Sequence, residues 1–97
     1  MPPQWRLERT AEFEADCETL RERAPRLHQV LESWEWYLER IPERFSRGLL
    51  GPTDTDRVAR WEDTDGDGQE YVAGITLRQP ERTVRLRWLQ VLESEGE

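Results

Sequence analysis

Lysine is missing from this chain, and all fourteen basic residues are arginine. No lysine amine is therefore available as a nucleophile or as an acid–base group. Cys17 stands alone, which rules out an internal disulfide. A cysteine nucleophile needs a base beside it. The single histidine, His28, falls on a different predicted helix and off its apolar stripe, so Cys17 reads as a small buried hydrophobe. No apolar stretch approaches the ~20 residues that cross a bilayer. Met1-Pro2-Pro3-Gln4 is not a basic and apolar leader, and no lipidation box is visible. The default expectation is a cytoplasmic protein with no membrane contact.

What is present points to a folded chain. Its 97 residues suit one domain, 1–97, with a modest core. Hydrophobic residues make up 35% and charged residues 36%, a balance that leans toward disorder. Five tryptophans, Trp5, Trp34, Trp36, Trp61 and Trp88, oppose that reading because disordered chains are poor in aromatics. Net charge is −7. Residues 1–48 carry ten acids and eight arginines, and residues 49–97 carry eleven acids and six arginines. In the second half the acids gather in predicted loops and the tail (Asp54, Asp56, Asp63, Asp65, Asp67, Glu93, Glu95, Glu97), while the arginines fall mostly in predicted strands.

Residues 4–9 alternate, with Trp5 and Leu7 on one side and Arg6 and Glu8 on the other, which predicts a short strand. Thr10 reads as a helix N-cap. Phe13, Cys17, Leu20 and Ala24 follow at helical spacing, with Glu12 and Glu14 near the favoured N-terminal end. Pro25 ends this helix or opens the next. In the second helix Leu27, Val30, Leu31, Trp34, Leu38, Ile41 and Phe45 form one stripe. Pro42 is expected to end it near Ile41 or to kink it before a last turn. A helical hairpin follows from the short connection.

Gly48, Gly51 and Pro52 predict a loop reaching about Asp56. Strands are expected over 57–62, 71–78 and 83–92, joined by turns at 63–68 and 79–82. Short turns imply antiparallel pairing. Alternation puts Val84, Leu86 and Trp88 on one face of the last strand and Arg85 and Arg87 on the other, with Leu89 and Val91 on the arginine side if register holds. Tyr71, Ala73, Ile75 and Leu77 form the core face of the middle strand, and Ala59 and Trp61 that of the one before. The opposite face would gather Arg6, Arg60, Arg78, Arg85 and Arg87, with Glu8 and Glu62 among them. It reads either as a solvated surface of weak Arg–Glu pairs or as a surface for anions or nucleic acid, whose phosphates the guanidinium fork matches.

The fold class is α+β: a short N-terminal strand, a helical hairpin, then a three-stranded antiparallel meander packed on the helices. That order resembles the RelE/ParE-like toxin superfamily. Residues 5–16, WRLERTAEFEAD, are similar to the family's opening strand and first-helix start. YVAGITL at 71–77 followed by TVRLRWL at 83–89 is similar to its closing hairpin. The resemblance implies one half of a type II toxin–antitoxin pair, held inactive by an antitoxin. Some members cut messenger RNA with basic residues on the sheet face, and others poison gyrase without nuclease chemistry. Here no Lys is present, no His or Tyr follows Arg87, Tyr71 is expected in the core, and net charge is negative. A net −7 chain is repelled from RNA at long range. Charge therefore disfavours a nucleic-acid partner and fits a gyrase-poison-like or regulatory member better, with the catalytic residues unknown.

Asp63-Thr64-Asp65-Gly66-Asp67-Gly68 matches the opening of an EF-hand loop, but Gly74 stands where the bidentate Glu belongs and strands flank it. An acidic hairpin turn is the better account, and no metal site or cofactor is expected. Trp36 and Tyr37 lie at the edge of the second helix's stripe or outside it. They are either edge packing or a partner surface, and Glu32, Glu35 and Glu39 nearby read as a solvated face. The expected function is a toxin-side component acting through protein contacts and an arginine-rich sheet face. The alternative is a non-enzymatic interaction or adaptor domain on the same scaffold.

Overall fold

In the computed structural model, which describes residues 4–51, 54–62 and 69–92, the order is β1 (Arg6–Arg9), α1 (Ala11–Leu20), α2 (Leu27–Leu38), α3 (Pro42–Phe45), β2 (Ser46–Gly48), β3 (Asp56–Glu62), β4 (Glu70–Arg78) and β5 (Thr83–Leu92). The turn at 63–68 and the acidic residues at 93–97 lie outside the described residues, as do Met1 to Pro3 and Pro52.

Thr10 caps α1 as its sequence position requires. Its backbone is extended, and its hydroxyl oxygen accepts from the Phe13 N–H at 3.2 Å. The helix ends at Leu20, and Ala24 is buried from the connection that follows. In α2 the stripe of Leu27, Val30, Leu31, Trp34 and Leu38 is buried. Helix α2 stops at Leu38, earlier than the apolar stripe alone suggests. Proline cannot supply the N–H that a continuing helix would need. Pro42 instead opens the short α3, which carries Phe45 back against the core.

The sheet has five strands in the order β1-β5-β4-β3-β2. This corrects the expected strand count, because Ser46–Gly48 adds β2 antiparallel to β3 in register Ser46↔Ala59, Arg47↔Val58, Gly48↔Arg57. Three residues show too little alternation to be read as a strand without their partner. The predicted loop therefore begins after Gly48. Strands β3, β4 and β5 form the expected antiparallel meander. Strand β1 joins β5 in parallel, with Leu7 opposite Val84 and Glu8 opposite Arg85.

One face of the sheet meets the helices. Tyr71, Ala73, Ile75, Leu77, Val84 and Leu86 pack with Phe13, Leu20, Val30, Leu31, Trp34 and Leu38. Phe13 and Trp34 are essentially fully buried. Burying side chains of this size stabilises by roughly 1.5–3 kcal/mol each.

The last strand departs from strict alternation. Gly74 pairs with Trp88 and Ile75 with Leu86, so Arg87 is the extra residue of a β-bulge. Beyond it every side chain changes face. Leu89 and Val91, expected beside the arginines, are buried in the core, and Trp88, expected in the core, turns to the outer face. Its indole lies against Gly74, where a Cβ would stand 2.2 Å from the ring. Only glycine permits that approach.

The bulge is braced from α1. The Thr10 hydroxyl donates to the Leu86 carbonyl at 2.9 Å and lies 3.1 Å from the Arg87 carbonyl. The Asp16 carboxylate accepts from the Leu89 N–H at 2.9 Å. Pairing between β1 and β5 ends at Leu86, so helix side chains satisfy backbone groups of β5 past the end of β1.

Candidate functional site

Strand register organises the outer face into rows. One row runs Arg47, Val58, Gly74, Trp88 across β2 to β5. Arg60, Val72 and Gln90 form the next, toward one end of the strands. Toward the other end lie Asp56, Thr76, Arg85 and Glu8, and then Arg78, Thr83 and Arg6. Arg6, Arg60, Arg78 and Arg85, singled out in the sequence, lie on these rows away from the helices, and Arg87, the unpaired bulge residue, reaches the same face through its hydrogen bond to Thr76. Sequence alternation missed Arg47 and Trp88, which share the central row. The missed signals were a glycine inside a buried strand and the spacing of Val84, Leu86, Leu89 and Val91, which slips phase by one residue.

Several of these arginines are partnered. Arg60 meets Glu70 at 3.1 Å, Arg85 meets Glu8 at 3.4 Å, and Arg78 meets Glu81 at 3.6 Å. Arg87 donates to the Thr76 hydroxyl at 3.2 Å, which in turn lies 3.1 Å from Asp56. These pairs are solvent-exposed, worth about 0–1 kcal/mol each, and exchange readily for a better anion. No carboxylate partner is found among the described residues for Arg44 or Arg47.

A concavity of about 710 Å³ lies at the β2 end of this face. Arg44, Phe45, Ser46, Arg47, Gly48, Leu49, Val58 and Arg60 line it. Beside it Leu49 is 64% and Leu50 94% exposed, large apolar side chains left in water.

Arg57, on the core side of β3, was not assigned a role from sequence. It is 5% exposed. Its guanidinium donates to the Ser46 hydroxyl at 2.7 Å and to the carbonyls of Ser46, Glu43 and Asp54 at 2.9, 3.1 and 3.2 Å. It therefore ties β2, α3 and the following loop to β3, and through them it shapes the floor of the concavity. The Asp54 carboxylate accepts from the Leu50 and Asp56 N–H groups at 2.9 and 3.2 Å. These bonds favour the ionised form and lower its pKa.

The helical side presents a different patch. Trp36 is 49% exposed, with the Arg40 guanidinium 4.2 Å from its ring centroid. Tyr37 is only half-buried and is fixed in an aromatic cluster, stacked 5.1 Å from Phe45 and 5.9 Å from Trp61. The two residues predicted as a partner surface therefore divide: Trp36 projects outward, and Tyr37 largely packs inward. Glu35 is not a free solvated carboxylate, since it accepts from Arg9 at 2.6 and 3.0 Å. Burial would lower the Arg9 pKa, but the Glu35 hydrogen bond and charge outweigh it and raise the pKa.

Neither sulfur nor imidazole chemistry is assembled among the described residues. Desolvation raises the Cys17 pKa and keeps the thiol protonated. His28 is exposed on α2, 3.1 Å from Glu32. Tyr71 is fully buried. No group of three or more potential metal ligands occurs among the described residues, and the Asp63 to Asp67 motif lies outside them. No described helix is long and apolar enough to cross a membrane. Comparison with protein-family models, curated proteins and solved structures found no match to the chain in any of the three.

Proposed function

We propose that this chain is the toxin-side component of a RelE/ParE-like toxin–antitoxin pair, acting through protein contacts and its arginine-rich outer sheet face. One observation carries the reading: Arg47, Arg60, Arg78, Arg85 and Arg87 share a face around Trp88, opposite the layer packed by the helices. The order of a strand, two longer helices and a closing meander adds to it. A mainly binding role fits better than RNA cleavage. The outer rows contain no His and no Tyr to move a proton, and Tyr71 is in the core. Net charge of −7 also weakens attraction to RNA beyond the local arginine cluster.

The test is expression of the chain alone. Growth arrest is expected, relieved by co-expression of a small neighbouring reading frame. The double variant Arg85→Ala, Arg87→Ala should lose the arrest while keeping its circular dichroism spectrum. Normal growth on strong induction of the wild-type chain would sink the toxin reading. It would favour a non-toxic adaptor domain, the reading supported by the exposed Trp36 with Arg40 over its ring.

A further inference from the structure

We infer that the concavity at the β2 end of the sheet binds an extended peptide segment of a protein partner, in which carboxylates alternate with aliphatic side chains. The inference rests only on the protein-contact part of the proposed function and not on toxicity.

Charge is the first argument. Three guanidinium groups, Arg44, Arg47 and Arg60, line the concavity, and no carboxylate of a described residue lines it. Arg44 and Arg47 have no acidic partner among the described residues. Among the described residues Arg60 is held by an exposed pair with Glu70, its side chain 65% accessible. In a chain of net charge −7, such a local excess of positive charge calls for an anionic occupant. Charges farther away than about 8 Å are largely screened at physiological salt, so the arginines govern the local field.

Apolar surface selects the class of anion. Leu49 lines the concavity and Leu50 follows it, both strongly exposed, and Phe45 and Val58 extend the apolar lining. A phosphate backbone gains little by covering leucine. A peptide offers carboxylates to the guanidinium forks and aliphatic groups to the leucines. Its extended form follows from position: β2 is the outermost strand of the sheet, and the concavity runs along residues 46–49. The outermost strand of a sheet is suited to a chain lying beside it.

Binding is measured by fluorescence anisotropy with the full chain. The probe is a short labelled peptide of alternating glutamate and leucine. Companion probes replace its leucines by serine, replace its glutamates by glutamine, or substitute a short single-stranded oligouridine. The glutamate–leucine peptide should bind tightest. Arg44→Gln and Arg47→Gln should each weaken it about tenfold or more, the effect of one lost charge-assisted contact. Arg21→Gln, an equal charge change at the exposed C-terminal end of α1, should leave it nearly unchanged. Leu50→Ser should weaken only the leucine-containing probes. Equal binding of the serine probe would overturn the peptide assignment in favour of charge alone. Tighter binding of oligouridine would overturn it in favour of a phosphate surface, and no binding at millimolar protein would remove the site. Growth arrest without peptide binding sinks this inference alone, and peptide binding without growth arrest sinks the toxin reading alone.

Discussion

The two edges of the sheet are held in different ways. At the β1 edge a parallel backbone ladder joins Arg6–Arg9 to β5, and the side chains of Thr10 and Asp16 continue the hydrogen bonding past Leu86. Arg85 there is paired with Glu8. At the β2 edge only a three-residue strand pairs with β3, and a buried guanidinium holds the corner together. Arg44 and Arg47 there have no carboxylate partner among the described residues. At one edge, side chains from within the chain extend the backbone hydrogen bonding. The other is made rigid from behind by Arg57 while its front presents arginine and leucine to solvent.

Arg57→Met tests the contrast most severely. It removes the donor shared by Ser46, Glu43 and Asp54 and leaves part-buried acceptors unpaired. A loss on the order of 3 kcal/mol is expected in urea unfolding, with hydrogen exchange rising first along β2. Arg57→Lys should recover little, because a compact ammonium cannot reach the same spread of acceptors. Unchanged stability would show that the β2 corner does not depend on this residue.

Gly74→Ala probes the row between the edges. Its Cβ would meet the Trp88 ring at 2.2 Å, so the indole must move, at a cost of about 1–3 kcal/mol. In a Trp88→Ala background most of that cost should vanish. A coupling of about 1 kcal/mol or more in the double-mutant cycle is the measure. Additive effects would show that the close approach is not the cause.

Asp16→Ala sharpens the account of the β1 edge. It strips the acceptor from the Leu89 N–H and should cost about 1–2 kcal/mol, with faster exchange of that amide. Asp16→Asn keeps an acceptor oxygen and should restore most of the stability.

Acid has the smallest expected effect, confined to the β2 side. The Asp54 pKa is lowered in the folded chain by the Leu50 and Asp56 N–H groups. Its contribution is therefore complete above the ordinary aspartate range and is lost as pH falls through the lowered folded value. Amide resonances of Leu50 and Asp56 should titrate together below the usual aspartate range, and Asp54→Asn should abolish that titration. A titration at the ordinary aspartate value would contradict the hydrogen-bonded loop.

Much of this was legible in the residue pattern. Thr10 as a cap, the α2 stripe and the inward faces of β3 and β4 follow from periodicity, because burial of one face imposes it. Val84 and Leu86 obey the same rule. The alternation rule failed at Arg87, since a single inserted residue reverses every later side chain and its cause lies in groups far along the chain. Thr10 and Asp16 are more than seventy residues from the β5 groups they bond. Arg57 was opaque for a related reason. A charged residue in a strand reads as exposed until the carbonyls of α3 and β2 are folded around it.

Local chemistry therefore determined where α1 begins, which of the longer segments are strands and which faces of α2, β3 and β4 must be dry. Those are consequences of periodic burial and of capping groups close in sequence. The tertiary structure decided the fifth strand, the bulge that exchanged Trp88 for Leu89 and Val91, and the gathering of Arg44, Arg47 and Arg60 around one concavity. Each depends on contacts between residues distant along the chain, and their free energy exists only once the sheet and helices have come together.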